Sequence, residues 1–143
     1  MSLFGRAATA VRTERPAVSH KRVLIIDDNE RVLEILADFL GDAYQVDAAS
    51  TPDTGLKMLA SNLPDIILLD VNMPGTDGIT LLESLRKQGL AAPVFIMTGY
   101  DSPDVEQRAT RSGATGYLVK PVDLRHLDRL IAHTLRVSPL IAD

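Results

Sequence analysis

Five short runs limit most sharply how this chain can fold: Arg22 to Ile26, Tyr44 to Ala48, Asp65 to Leu69, Pro93 to Met97 and Gly116 to Val119. As a set they are rich in Val, Ile and Leu, with apolar residues at consecutive rather than alternate positions in every run but Tyr44 to Ala48. A strand with one wet face alternates apolar and polar residues, whereas continuous apolar content needs cover on both faces, as in a parallel sheet. Segments of helical periodicity separate the runs. Thr51-Pro52-Asp53 and Ser102-Pro103-Asp104 each place a side-chain acceptor ahead of a proline at the first helical position. Asp77 can cap a helix running to about Gln88, with Gly89 as a left-handed exit, and Gly113 offers a similar stop. A first helix from about Asn29 to Leu40 sets Val32, Ile35, Leu36 and Phe39 on one apolar stripe. A last helix, about Asp123 to Arg136, does so with Leu124, Leu127, Ile131 and Leu135. Strict alternation of strand and helix predicts right-handed β-α-β units, hence a doubly wound α/β fold with a five-stranded parallel sheet and helices on both faces.

The 143 residues, 45% hydrophobic and 24% charged, suit one domain with short extensions. The expected division is a disordered leader or linker over residues 1–20, the domain over 21–138 and a tail over 139–143. The absence of Cys excludes disulfides, thiolate metal sites and a cysteine nucleophile, and fits a reducing, cytoplasmic setting. No apolar stretch approaches the roughly 18 to 20 residues of a membrane span. The net charge of −4 is unevenly spread. Arg6, Arg12, Arg15, Lys21 and Arg22 face only Glu14 in the first 22 residues, so the rest of the chain carries −8. An acidic body argues against direct nucleic-acid binding.

In doubly wound sheets, ligand chemistry gathers at the carboxyl ends of the strands. Here those ends carry Asp27-Asp28, Asp70, Thr98 and Lys120-Pro121. Taken singly, each has a plainer role: Asp27-Asp28 can cap a helix, Asp70 can sit in a loop, Thr98 can turn the chain and Lys120 can lie in solvent. Together they bring three carboxylates to one rim, where repulsion calls for an offsetting cation. An all-oxygen donor set without His or Cys selects a hard ion such as Mg²⁺. A carboxylate beside Mg²⁺ and an ammonium can attack phosphorus and form an acyl phosphate. Asp70, on the central strand, suits that role, with Asp27 and Asp28 holding the metal. His20, His126 and His133 lack the spacing of a helical zinc site.

The segments Val23-Leu24-Ile25-Ile26-Asp27-Asp28, Ile67-Leu68-Leu69-Asp70-Val71-Asn72-Met73-Pro74 with Asp77-Gly78, Met97-Thr98-Gly99, and Gly113-Ala114 leading to Tyr117-Leu118-Val119-Lys120-Pro121 resemble the response-regulator receiver domains of two-component signalling, the CheY-like superfamily. The resemblance covers about residues 20 to 138 and is specific as a set. It implies a flavodoxin-like fold with strand order 2-1-3-4-5, Asp70 as phosphoacceptor, and Mg²⁺ held by Asp27, Asp28, Asp70 and the backbone carbonyl of Asn72. It further implies Lys120 as partner of the phosphoryl group, a cis peptide at Pro121, and Thr98 with Tyr117 as a switch pair. Asn72 and Tyr100 would tune water attack on the acyl phosphate, and Leu33 and Ala37 of the first helix would dock the donor. That donor would be a histidine kinase or histidine phosphotransfer protein. The face bearing the fourth helix, fifth strand and fifth helix would act on a downstream protein or form a phosphorylation-dependent dimer. The chain would not be an enzyme in the turnover sense, undergoing only stoichiometric self-phosphorylation and slow self-dephosphorylation.

Other readings stay open at this point. A Mg²⁺-dependent phosphohydrolase of the haloacid-dehalogenase type also uses an Asp after an apolar strand, but wants a second Asp where Asn72 stands. Dinucleotide binding lacks its Gly-rich turn, since Asp27-Asp28-Asn29 occupies that place. Within the family, the chain could be a freestanding regulator, an interaction module that takes no phosphate, or a receiver fragment of a hybrid histidine kinase.

Overall fold

The structure, a computed structural model, describes residues 20–100 and 102–141. The leader up to residue 19, and residues 142 and 143 of the expected tail, lie outside the described residues. Every apolar run becomes a strand. The order is β1 (Arg22–Ile26), α1 (Glu30–Leu40), β2 (Gln45–Ala49), α2 (Pro52–Ser61), β3 (Ile66–Asp70), a hairpin of β4 (Asn72–Met73) and β5 (Thr76–Asp77), α3 (Gly78–Lys87), β6 (Val94–Thr98), α4 (Pro103–Arg111), β7 (Gly116–Val119) and α5 (Leu124–Leu135). The main sheet is wholly parallel in the order β2-β1-β3-β6-β7, which is 2-1-3-4-5 once the hairpin strands are set aside.

β2, β3 and β6 each begin and end one residue later than expected. Tyr44 closes the turn after α1, its N–H donating to the Leu40 carbonyl, while Asp70 and Thr98 pair within the sheet opposite Met97 and Val119. The shift puts the polar residues on the last pleat of their strands rather than in the loops that follow.

Successive strand residues feed two cores, as a two-sided sheet requires. Val23, Ile25, Ile66, Leu68 and Met97 pack with α1 and α5; Leu24, Ile26, Ile67, Leu69 and Ile96 pack on the opposite side with α3. The helix starts follow the sequence. Asn29, Thr51, Asp77, Ser102 and Asp123 all cap through side-chain oxygens. The hairpin was not expected, although Met73-Pro74-Gly75-Thr76 carries its signal: proline, then a glycine at φ 73°, as a type II turn demands. Gly78 matters for position: a Cβ there would lie 2.6 Å from Val71 Cα and 2.8 Å from the Asp70 carbonyl oxygen. Its bare backbone lets α3 start directly against the end of β3.

The apolar stripe of α1 is rotated from the expected one. Leu33, Leu36 and Leu40 are buried, Val32 and Phe39 are half-buried, and Ile35 is exposed. Leu33 therefore belongs to the core, and Ala37 is half-buried beside it. Burial takes Leu33 away from the surface on which a docking role would rest, whereas Ala37 keeps part of its side chain accessible.

The chain also stays packed beyond residue 138. Asp128, fully buried on α5, accepts hydrogen bonds from the Leu140 and Ile141 amides at 2.7 and 2.8 Å, and Leu140 rests on the α1–α5 core. The neighbouring Tyr44 hydroxyl has its pKa raised by burial and by the Asp128 charge. Hydrogen bonds to an ionised acceptor contribute about 1.5–3 kcal/mol each. With two such bonds lost, Asp128→Ala is expected to cost about 3–6 kcal/mol, read as a lower urea midpoint with faster hydrogen exchange at Leu140 and Ile141. An unaltered midpoint would show that this clasp carries no stability.

Candidate functional site

Because the sheet is parallel, the carboxyl ends of β1, β3, β6 and β7 share one rim. Asp27 and Asp28 follow β1 directly, Asp70 ends β3, Thr98 ends β6, and Lys120 follows β7. Asp27 is 0% exposed and Asp70 2%, burials that charged side chains seldom show unless paired, whereas Asp28 faces solvent. One ligand oxygen from each of the three carboxylates falls within 4.8 Å of the others. The Lys120 Nζ sits 2.7 Å from Asp27 Oδ2 and 3.3 Å from Asp70 Oδ2. The Lys120–Pro121 peptide is cis.

Each buried carboxylate divides its oxygens in the same way. The Asn29 N–H donates to Asp27 Oδ1 at 2.8 Å and the Asn72 N–H to Asp70 Oδ1 at 3.0 Å, leaving both Oδ2 atoms for the shared ammonium. The contact of Asp27 Oδ2 with Lys120 is an ion pair and not a well-angled hydrogen bond, so this buried oxygen keeps acceptor capacity. One ammonium faces three carboxyl groups. Burial pushes the Asp70 pKa up to about 6; the Asn72 N–H opposes this, Asp27 adds to it, Lys120 opposes it and Asp28 adds to it. Burial alone would lower the Lys120 pKa, but the Asp27 and Asp70 carboxylates outweigh it and hold the ammonium charged.

A clustered, under-neutralised set of carboxylate oxygens with a spare buried acceptor fits a hard divalent cation. Thr98 is fully buried and its hydroxyl contacts the Asn72 side chain, a link that sequence reasoning missed because it joins residues 26 apart. Tyr117 lies half-buried on β7 against the α3-side core, and the Tyr100 side chain is 69% exposed. Beside Lys120, a shallow apolar cleft of about 220 Å³ is lined by Val32, Ile35, Pro121, Val122 and Leu124.

The raised Asp70 pKa has a definite sign for stability. Between the ordinary value of 3.8 and about 6, the folded chain holds a proton that the unfolded chain has released. Stability therefore falls as pH rises through this window, and the cost is complete above it. In divalent-free buffer, Asp70→Asn is expected to stabilise the fold by about 1–3 kcal/mol at pH 7.5, with most of that gain gone at pH 4. A pH-independent difference in urea midpoint would contradict this.

The comparisons with known proteins converge. The family model for the response regulator receiver domain matches residues 23–132. The response regulator PleD of Caulobacter vibrioides is 39% identical over 105 residues, covering 71% of this chain and 23% of PleD. The alkaline phosphatase synthesis transcriptional regulatory protein PhoP of Bacillus subtilis is 32% identical over 124 residues, covering 86% of this chain and 52% of PhoP. The chain thus spans about a quarter to a half of these curated relatives. Among solved structures, a CheY-like response regulator receiver domain protein from Methanospirillum hungatei superposes with a TM-score of 0.77 at 31% identity, over 82% of this chain and 95% of that one. With the family matched across most of its length and the sheet order shared, the chain belongs to the response regulator receiver domain family.

Proposed function

We propose that the chain accepts a phosphoryl group from a phosphohistidine onto Asp70 and passes the signal on by protein contact. The observation that carries this reading is the Lys120 ammonium shared between two buried carboxylates at the strand ends, with Asp28 beside them. An Asp70 oxygen would bond to phosphorus as the phosphorus–nitrogen bond of the donor breaks. The electron pair returns to the imidazole, which takes a proton from solvent. Lys120 lies where it can meet charge on the transferring oxygens, and the Asn72 N–H keeps the carboxylate oriented. Asp27, Asp28, Asp70 and the Asn72 carbonyl would hold Mg²⁺, which supplies charge neutralisation for the incoming phosphoryl group. Thr98 on β6 and Tyr117 on the neighbouring β7 would serve as the switch pair.

The donor is a histidine-phosphorylated kinase or phosphotransfer protein, and the apolar cleft beside Lys120 is its docking surface. Ile35 and Val32 on α1, with Val122 and Leu124 after β7, take the role in place of the buried Leu33. An exposed Ile35 among half-buried Val32, Val122 and Leu124, next to a charged reaction centre, suits a partner that must bring one phosphohistidine to Asp70.

Acetyl phosphate with Mg²⁺ is expected to add one hydroxylamine-labile unit of about 80 Da, absent in Asp70→Asn. A folded chain with no adduct by mass spectrometry would overturn the reading. For docking, Ile35→Asp is expected to slow labelling by a protein donor roughly fivefold or more while acetyl phosphate labelling stays as it was. Equal slowing with both donors would place the defect at Asp70 and not at the cleft. Leu33→Asp, by contrast, is expected to unfold the chain, because it buries a charge in the core.

A further inference from the structure

The buried Thr98 hydroxyl has one proton and two protein acceptors. It lies 3.2 Å from Asn72 Oδ1 and 3.1 Å from the Tyr100 carbonyl, and it receives the Tyr100 N–H at 3.0 Å. At 0% exposure Thr98 must satisfy that proton within the protein. The Gly99 N–H also points at Asn72 Oδ1, at 3.4 Å, and since a backbone amide can only donate, it fixes which end of the carboxamide faces Thr98. Asn72 thereby holds both Asp70 and Thr98: its backbone N–H binds Asp70 Oδ1, and its side chain binds the Thr98 hydroxyl.

We infer that the Asn72 carboxamide is a latch that keeps the Thr98 hydroxyl in its resting position and so sets how readily the site converts to the phosphorylated state. This rests on the phosphoacceptor reading above. A phosphoryl group on Asp70 would offer Thr98 an anionic acceptor, and hydrogen bonds to ionised acceptors are roughly twice as strong as those to neutral carbonyls. To reach it, the single Thr98 proton must leave Asn72 Oδ1 and the Tyr100 carbonyl. Only the first of these acceptors belongs to a side chain, so only it can be tuned by sequence. A neutral hydrogen bond biases a two-state equilibrium by roughly threefold to tenfold. Asn72 is thus a positioning residue acting through Thr98, distinct from any effect on attacking water.

The test is a double-mutant cycle between Asn72→Ala and Thr98→Val on the full chain, reading the beryllofluoride concentration needed for half-saturation at saturating Mg²⁺ by backbone amide spectra. Asn72→Ala alone is expected to bind this phosphoryl mimic roughly threefold to tenfold more tightly, and to change affinity by less than about twofold once Thr98→Val has removed the hydroxyl. Unchanged or weaker binding in Asn72→Ala overturns the latch, as does an equal gain in both backgrounds. Native-like spectra with no beryllofluoride response in the parent would overturn the phosphoacceptor reading itself, a result separate from either outcome of the cycle.

Discussion

A single ammonium lying between two carboxylates that the sheet has removed from water is the interaction on which the site rests. The covered parallel strands bury the rim at their carboxyl ends, and with it Asp27, just after β1, and Asp70, the last residue of β3. Lys120, 2.7 and 3.3 Å from its two partners, offsets part of that cost and leaves the remainder as an unmet demand for positive charge. The fold therefore holds the Asp70 carboxylate under electrostatic tension. A cation or a covalent modification that redistributes charge changes the energy of the whole rim at once.

Much of this was legible in the sequence. Uninterrupted apolar runs gave the parallel sheet, because nothing but two-sided cover explains them, and the polar residues that end each run marked the rim. The rotation of α1 was not legible. Val32, Leu33, Ile35, Leu36, Phe39 and Leu40 spread over about 160° of that helix, wide enough for periodicity to admit two overlapping stripes, and contact with β1 and β2 decides between them. Asp128 escaped notice for a related reason. An acid on an amphipathic helix reads as solvent-facing unless its backbone partners twelve and thirteen residues onward are known.

Side chains that act across long separations complete the frame. The Arg86 guanidinium donates to the carbonyls of Leu90, Ala92 and Gly113, joining the approach to β6 with the turn before β7; burial lowers its pKa. Arg108 on α4 reaches Asp77, the cap of α3, at 2.8 Å. These ties fasten α3 to the segments that enter β6 and β7 and to its neighbour α4.

The Asp128 clasp has a geometric consequence. With the Leu140 and Ile141 amides seated on its carboxylate, the backbone leaves α5 along a heading set by that helix. A fluorophore or fusion partner joined just past Ile141 would inherit the orientation of α5 and follow its tilt. Fluorescence anisotropy there would register motion of the helix more than free tumbling of a tether.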